Sequence, residues 1–516
     1  MISGFLRRLT RRSPGRGKSG RGKSGRGSAR LGFEVLEDRS MLAVTLFAAG
    51  STGGSPPSNI ELWRTNGTAN GTVLVKDINK GLASSNPLDL TYIPQMNEWF
   101  FSADDGVHGR QPWISNGTAG GTKMIKEMFK VGTIPGDGMD GNFAPFFTYL
   151  NGYVYFAANG GPNHGGLELW RTKGTAASTT LVDDIIAGAQ GLEPSNLTAV
   201  GNQLFFVAYD TVHGREVWVT NGTTAGTHLV KDIYPGDYSS LPEHLTNVNG
   251  KLFFSAADPT YGDELWTSDG TPGGTYMVKD INPGPDPNNP SNAYSSNPDW
   301  LTSYQNKCYF SADDGVNGTA LWESDGTSAG TFMVKNVPTP TNIIVMNNEL
   351  YFSTFETVGG LYPEGSALYK SDGTTAGTLF IKQINTAAEN SHEPTAVHLE
   401  PMRFTVVGNQ LFFIAGTNFD PQGINENVEL WRTDGTANGT YQVKDINPGN
   451  VDSSPSKLRA VNGKLVFFAT DGVHGRQPWV SDGTANGTNM LKDINHTPGQ
   501  DSESYGYSYD GYLWEN

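Results

Sequence analysis

Three histidines of this chain share one setting, because His108, His213 and His474 each stand in the tetrapeptide Val-His-Gly-Arg. Imidazole is the commonest metal ligand among side chains, but a zinc centre needs about four donors converging on one point. A fourth copy of the motif carries Asn317 in place of the histidine, so the three are expected to serve as turn residues of a repeat. The acidic residues Asp104-Asp105, Asp313-Asp314 and Asp471 precede glycine and offer oxygens suited to calcium. Calcium takes about six to eight oxygens, and no D-x-D-x-D-G loop is present, so ordinary aspartate turns are expected. Calcium is the one cofactor left open; no other is expected. Gly17 to Ser24 (GKSGRGKS) satisfies the spacing of a phosphate-binding loop. Such a loop needs a buried strand before it and a helix after it, and this stretch is a low-complexity Gly/Arg tract with neither. Neither G-x-S-x-G nor H-E-x-x-H occurs. Glycoside hydrolysis would require two placed carboxylates, or a tyrosine nucleophile with an arginine cluster, and nothing outside the repeat pattern singles out such a set. No catalytic residue is therefore expected.

The elements that carry these residues are repeats. Anchors recur at Trp63, Trp113, Trp170, Trp218, Trp266, Trp322, Tyr369, Trp431 and Trp479, each followed by a turn such as Ser268-Asp269-Gly270-Thr271, at a mean spacing of 52 residues. One unit, Leu245 to Ile281, parses into four short strands. Leu245 to Val248 and Lys251 to Ala256 flank Asn249-Gly250, the dipeptide that best tolerates the positive φ angles of a two-residue hairpin. A third strand holds Glu264-Leu265-Trp266, and the Asp-Gly-Thr turn leads into a fourth, Tyr276 to Ile281. In the second strand Leu252-Phe253-Phe254 is apolar at consecutive positions, so both faces of that sheet must be covered. Four-stranded sheets stacked around an axis meet this demand. The expected fold is all-β, a β-propeller of about nine four-stranded units spanning residues 43 to 516, with eight blades or an open superhelical array as alternatives. Val44 to Gly50 aligns with the second strand Lys251 to Ala257, and a C-terminal hairpin, Tyr505 to Trp514, is available to complete the first unit.

Glu61-Leu62-Trp63, Glu168-Leu169-Trp170, Glu264-Leu265-Trp266 and Glu429-Leu430-Trp431, with their Gly-Thr turns, resemble the bacterial ELWxxDGT repeat family. Gln111-Pro112-Trp113, Gln477-Pro478-Trp479 and Ala367-Leu368-Tyr369 depart from the pattern. Phe33 to Leu42 (FEVLEDRSML) is similar to the LEPR-XLL motif near the N-termini of exported bacterial proteins, with Leu36, Glu37, Arg39 and Leu42 fitting. These resemblances imply a secreted or cell-surface repeat protein. The turns also resemble the Asp-box of sialidase propellers, which is structural even there.

Charge sorts the partners. The chain carries a formal charge of -16, yet residues 1 to 42 hold eleven Lys/Arg against three Asp/Glu. The leader is thus a net +8 and the body -24. An acidic body repels a phosphate backbone, so nucleic acid is excluded as a partner for the folded part, while extracellular protein or glycan is expected. The Gly-Arg-Gly-Lys leader has too little apolar surface to fold. Cys308 has no partner for a disulfide and reads as a small core residue. No apolar run long enough for a membrane-spanning helix occurs. The expected role is extracellular or cell-surface binding, adhesion or scaffolding by a monomer, with a propeller enzyme acting on polysaccharide as the alternative. Irregular loops on a rigid scaffold commonly carry recognition. The candidate ligand contacts are therefore Tyr294 and Trp300 in one long connection, and Asp420, Asn425 and Glu426 in another.

Overall fold

A computed structural model describes residues 43–52, 58–128, 147–159, 166–183, 192–286, 289–358, 362–386, 401–416 and 427–495. The chain is a β-propeller. Among the described residues nine antiparallel blade sheets follow one another along the sequence, eight of four strands and the first of three. The open-array and eight-blade alternatives fall away. In the first blade, Thr45–Thr52 pairs with Ser58–Thr65 in the manner of a second strand, as the alignment requires. The leader and the hairpin Tyr505 to Trp514 lie outside the described residues. No helix among the described residues is long and apolar enough to cross a membrane.

Blade 5 shows how sequence becomes sheet. Glu243–Val248, Lys251–Asp258, Gly262–Ser268 and Tyr276–Lys279 pair in order. The first hairpin turns on Asn249 and Gly250 at φ 50° and 82°, the left-handed region that Asn and Gly tolerate best. Alternation then divides the double apolar run between two neighbours. Phe254 and Trp266 pack against Phe205, Val217 and Val219 of blade 4. Phe253 and Leu265 face the other way, onto Cys308, Phe310 and Trp322 of blade 6. Each buried aromatic contributes roughly 2–3 kcal/mol of transfer free energy. The neighbouring blade is what makes that burial possible.

Polar groups fix the repeat as firmly as the apolar ones. In every blade a hydroxyl at the end of the third strand meets a threonine seven residues on, as in Ser268 Oγ to Thr275 Oγ1 at 2.7 Å and Thr65 Oγ1 to Thr72 Oγ1 at 2.8 Å. The turn aspartate Asp269 accepts from the amide and hydroxyl of Thr271, so the Asp-Gly-Thr signature is a turn device. The ELW glutamate also points inward. Glu264 accepts from the amides of Ile281 and Ser296 and from the Ser296 hydroxyl at 2.7 Å, thereby pinning the connection to the next blade. Gln111 and Gln477 fill the same position, accepting from Met128 and Ile494.

The ring closes through a bond used at the other junctions. A lysine at or just past the end of the fourth strand donates to a threonine carbonyl of the following blade, as Lys231 to Thr275 and Lys279 to Thr331, and Lys492 of the last blade reaches Thr72 of the first at 3.1 Å. The same ammonium groups lie over the next blade's tryptophan, Lys492 over Trp63 at 5.6 Å. Phe47 meets Phe468 edge-on across the closing seam. At one junction, from blade 3 to blade 4, Asp183 occupies the lysine position.

Lys492→Met removes a charged hydrogen bond at the closing seam, and is expected to lower stability in urea by about 1.5–3 kcal/mol; an unchanged midpoint would show that the seam does not depend on it. Burial raises Glu216, Glu264 and Glu429 to about 7 from an ordinary 4.5. A carboxyl raised on folding contributes stability that is full below its unfolded value and lost as pH rises through the folded one. The urea midpoint should therefore be higher at pH 5 than at pH 8, with Glu264→Gln narrowing the difference.

Candidate functional site

The strand order fixes which loops share an end of the ring. Inner strands of successive blades are laced together, Thr198 Oγ1 to the Leu245 carbonyl at 3.2 Å and Thr246 Oγ1 to the Leu301 carbonyl at 3.3 Å. Because strands alternate in direction, the Asn-Gly and Asp-Gly-Thr turns lie at one end. The inner-strand starts, the loops between second and third strands, and the connections between blades lie at the other.

At that second end, between blades 5 and 6, four ionisable residues gather. Glu243 and His244 open the inner strand of blade 5, Asp299 opens that of blade 6, and Asp263 stands near the start of blade 5's third strand. His244 Nε2 lies 3.5 Å from Asp299 Oδ1 and 3.7 Å from Glu243 Oε2. His244 adopts φ 57° and Trp300, the residue after Asp299, also φ 57°; each sits in a bulge where its strand slips register against the second strand. The same bulge and positive φ recur at Asp89, Asn196, Asn342, Arg403 and Lys457, so this backbone shape belongs to the repeat. The sequence parse began this strand at Leu245 and so left Glu243 and His244 outside it.

Charge makes this junction unlike its sisters. Blades 2, 4 and 9 place Arg110, Arg215 and Arg476 at the repeat position of Asp263. Arg110 donates to Ser102 and to the Asn86 carbonyl, Arg215 pairs with Glu193 at 2.7 Å, and Arg476 reaches Ser456, which occupies the repeat position of Glu243. In blade 5 a carboxylate replaces the guanidinium beside other carboxylates. Burial, and then the charges of Glu243 and Asp299, raise Asp263 to about 7. Burial, reinforced by Glu243 and opposed by the Trp300 amide, raises Asp299 to about 6. Burial depresses His244 to about 4, so near neutrality the imidazole is uncharged and its contacts with Glu243 and Asp299 are not ion pairs. Of the carboxyls, Asp263 is the one that holds its proton closest to neutrality. Asp263 Oδ1 is shut off from solvent and accepts no hydrogen bond. Carboxyls poised near neutral pH in this way suit general acid and base work.

The backbone around Asp263 is held by the long connection. Its amide donates to Ser295 Oγ at 2.9 Å, and its carbonyl accepts from Ser296 and Asn297. Gly262, at φ 73°, leaves no room for a side chain, because a Cβ there would strike the Tyr294 carbonyl. The same connection carries an additional hairpin, Pro285–Asp286 paired with Asn289–Ala293, which has no counterpart among the described residues.

Of the residues singled out from sequence, Tyr294 is half-buried and donates its amide to Gly284. Trp300 packs against the core between blades 6 and 7, beside Tyr304, Tyr309 and Phe352. Both flank the carboxylate group. Asp420, Asn425 and Glu426 lie outside the described residues. The eight tryptophan anchors are core residues, Trp266 being 4% exposed, and Tyr369 packs partly buried against the core. His108, His213 and His474 each bond through Nδ1 to an aspartate three residues earlier, at 2.7, 2.8 and 2.7 Å, and Asn317 repeats the contact with Asp314. These are loop staples. The described residues contain no group of three or more His, Cys, Asp or Glu arranged to hold a metal ion. Glu243, His244, Asp263 and Asp299 were missed, although one signal was readable: the Gly-Arg of Val-His-Gly-Arg becomes Gly-Asp in blade 5.

No family model and no curated protein matches the chain. Solved structures do. The β-propeller domain of the Trilobed protease from Pyrococcus furiosus matches at 13% identity and TM-score 0.33, over 58% of this chain and 84% of that one. A puromycin-hydrolyzing peptidase of Mycobacterium tuberculosis matches at 12% identity and TM-score 0.38, over 81% and 61%. Prolyl oligopeptidase B from Galerina marginata matches at 12% identity and TM-score 0.39, over 77% and 54%. The chain thus covers less than two thirds of either peptidase. The expectation of a binding or scaffolding module without catalytic residues is corrected in one respect: the neighbours named are the propeller domain of a protease and two peptidases.

A charged carboxylate at position 263 costs the fold stability at alkaline pH, so Asp263→Asn is expected to raise the melting temperature at pH 8. A lowered value would instead make Asp263 a structural residue.

Proposed function

We propose that the protein is a hydrolase acting on a polysaccharide, with Asp263 and Asp299 as its acid–base pair. The observation that carries this reading is Asp263 itself, a carboxyl at a repeat position that holds arginine in blades 2, 4 and 9 and an uncharged residue in the other five, with Asp263 and Asp299 both raised toward neutrality. In the proposed reaction the protonated Asp263 donates to the glycosidic oxygen as the carbon–oxygen bond breaks. Ionised Asp299 takes a proton from the water that adds to the anomeric carbon. Uncharged His244, within 4 Å of both Asp299 and Glu243, holds the carboxylates in place. The reading invokes no cofactor.

Support for an exported, extracellular enzyme comes from the LEPR-XLL-like segment and from the resemblance to ELWxxDGT repeats, and the enzyme is proposed to act as a monomer.

Release of reducing ends from a panel of polysaccharides tests the proposal. Activity should peak between pH 6 and 7, where Asp263 keeps its proton and Asp299 has lost its own. Asp263→Asn and Asp299→Asn should each reduce the rate by about 100-fold or more. Turnover indifferent to both substitutions would refute the assignment.

A further inference from the structure

We propose that the C-terminal segment Ser504 to Tyr509 docks on the first blade as its missing inner strand, independently of what the blade 5–6 junction does. Eight blades carry four strands and the first carries three. Thr45–Thr52 stands where a second strand stands elsewhere, paired along one edge with Ser58–Thr65. Among the described residues no strand pairs with its other edge. Such an edge presents a row of backbone donors and acceptors to which another strand can add. Leu46 in that strand is only 4% exposed, and buried backbone groups require partners.

Chain length and pattern identify the occupant. Fifteen positions separate Ile233 from Val248 and Ile446 from Val461, the step from the end of one blade to the last residue of the next inner strand, and fifteen separate Ile494 from Tyr509. Asp510-Gly511 then falls where Asn249-Gly250 and Asn462-Gly463 turn. The chain leaves the last blade as it leaves the others: Gln477 Oε1 accepts from the Ile494 amide at 3.0 Å, and Glu264 Oε2 from the Ile281 amide at 3.0 Å. A tyrosine already fills the position of Tyr509 in blade 6, where Tyr304 is 4% exposed and its hydroxyl donates to the Asn348 carbonyl of the next blade at 2.7 Å. Gly506 departs from the pattern, standing where other inner strands place Leu245 and Leu458. A second copy would offer the same strand only at its bulk concentration, whereas the chain's own segment, nine residues beyond Asn495, is held at an effective concentration on the order of millimolar. Blade 5 sets the register. There Glu243, Thr246 and Asn247 pair with Ser255, Phe253 and Leu252, so in blade 1 Ser504, Tyr507 and Ser508 pair with Ala48, Leu46 and Thr45.

A disulfide in the full chain tests this register. Ser508 and Thr45 form an opposed pair that exchanges no backbone bonds, with Cα atoms about 4.5 Å apart, a separation a disulfide spans. The native Cys308 is buried and does not compete. Thr45→Cys with Ser508→Cys, under mild oxidation, should give an intramolecular bond, located by mass spectrometry in a species that runs as a monomer on a non-reducing gel. Thr45→Cys with Tyr507→Cys, one residue out of register and so on the opposite face, should link at about a tenth of that rate or less. No bond, equal rates for the two pairs, or a bond between two chains would overturn the proposal, and the last would assign the edge to a second copy. Should the cysteine pair fail to fold, hydrogen exchange on the unaltered chain reads the same contact. The Leu46 amide is expected to exchange about 100-fold or more slower than an unpaired amide, and Tyr507→Pro should remove that protection. Fast exchange at Leu46, or protection that survives Tyr507→Pro, would likewise overturn it.

Discussion

Each blade hides its aromatic faces against its two neighbours, and that mutual burial is the constraint from which the rest of the structure follows. Phe254 and Trp266 need blade 4, while Phe253 and Leu265 need blade 6. A sheet with apolar residues on both faces cannot end without a partner, so the series continues until the last blade meets the first, where Phe47 and Trp63 close on Phe468 and Ile494. Nine blades exceed the usual four to eight. Connections of unequal length absorb the remaining differences between units.

Upon this frame, polar bonds that cross between blades provide register. The lysine clamp, the hydroxyl pair of the Gly-Thr turn and the ELW carboxyl each satisfy backbone groups at strand ends that would otherwise be buried without partners. This explains why the repeat conserves its form where the chain exchanges residues. Glutamine at 111 and 477 does the work of glutamate because what the position requires is an inward-pointing acceptor. The neutral amide also indicates that the carboxyls at this position need not be ionised for the fold to form.

Much of this architecture was legible in the sequence. The Asn-Gly turns, the double apolar run and the regular tryptophans specify four strands and two covered faces, since each reflects a local backbone or burial requirement. The site was harder to read. Glu243 and His244 belong to a bulge that ordinary strand periodicity does not register, and Asp299 comes near them only when blade 6 is laid beside blade 5. Asp263 was visible as a departure from Val-His-Gly-Arg, but its meaning lies in which charges surround it, a property of the folded ring. Trp300 attracted attention as an exposed-looking aromatic in a long connection, whereas the fold draws its ring toward the core between blades 6 and 7. Aromatic residues in propeller connections can thus be walls of the neighbouring core as readily as binding surfaces.

The interdependence of blades is tested most directly by taking one away from the others. A peptide spanning residues 243–281 contains a complete four-stranded unit with its hairpin, turn and ELW glutamate. Thermal melting followed by circular dichroism should show no cooperative transition, because both of its apolar faces are then open to water. A sharp, reversible transition in the isolated peptide would contradict the account.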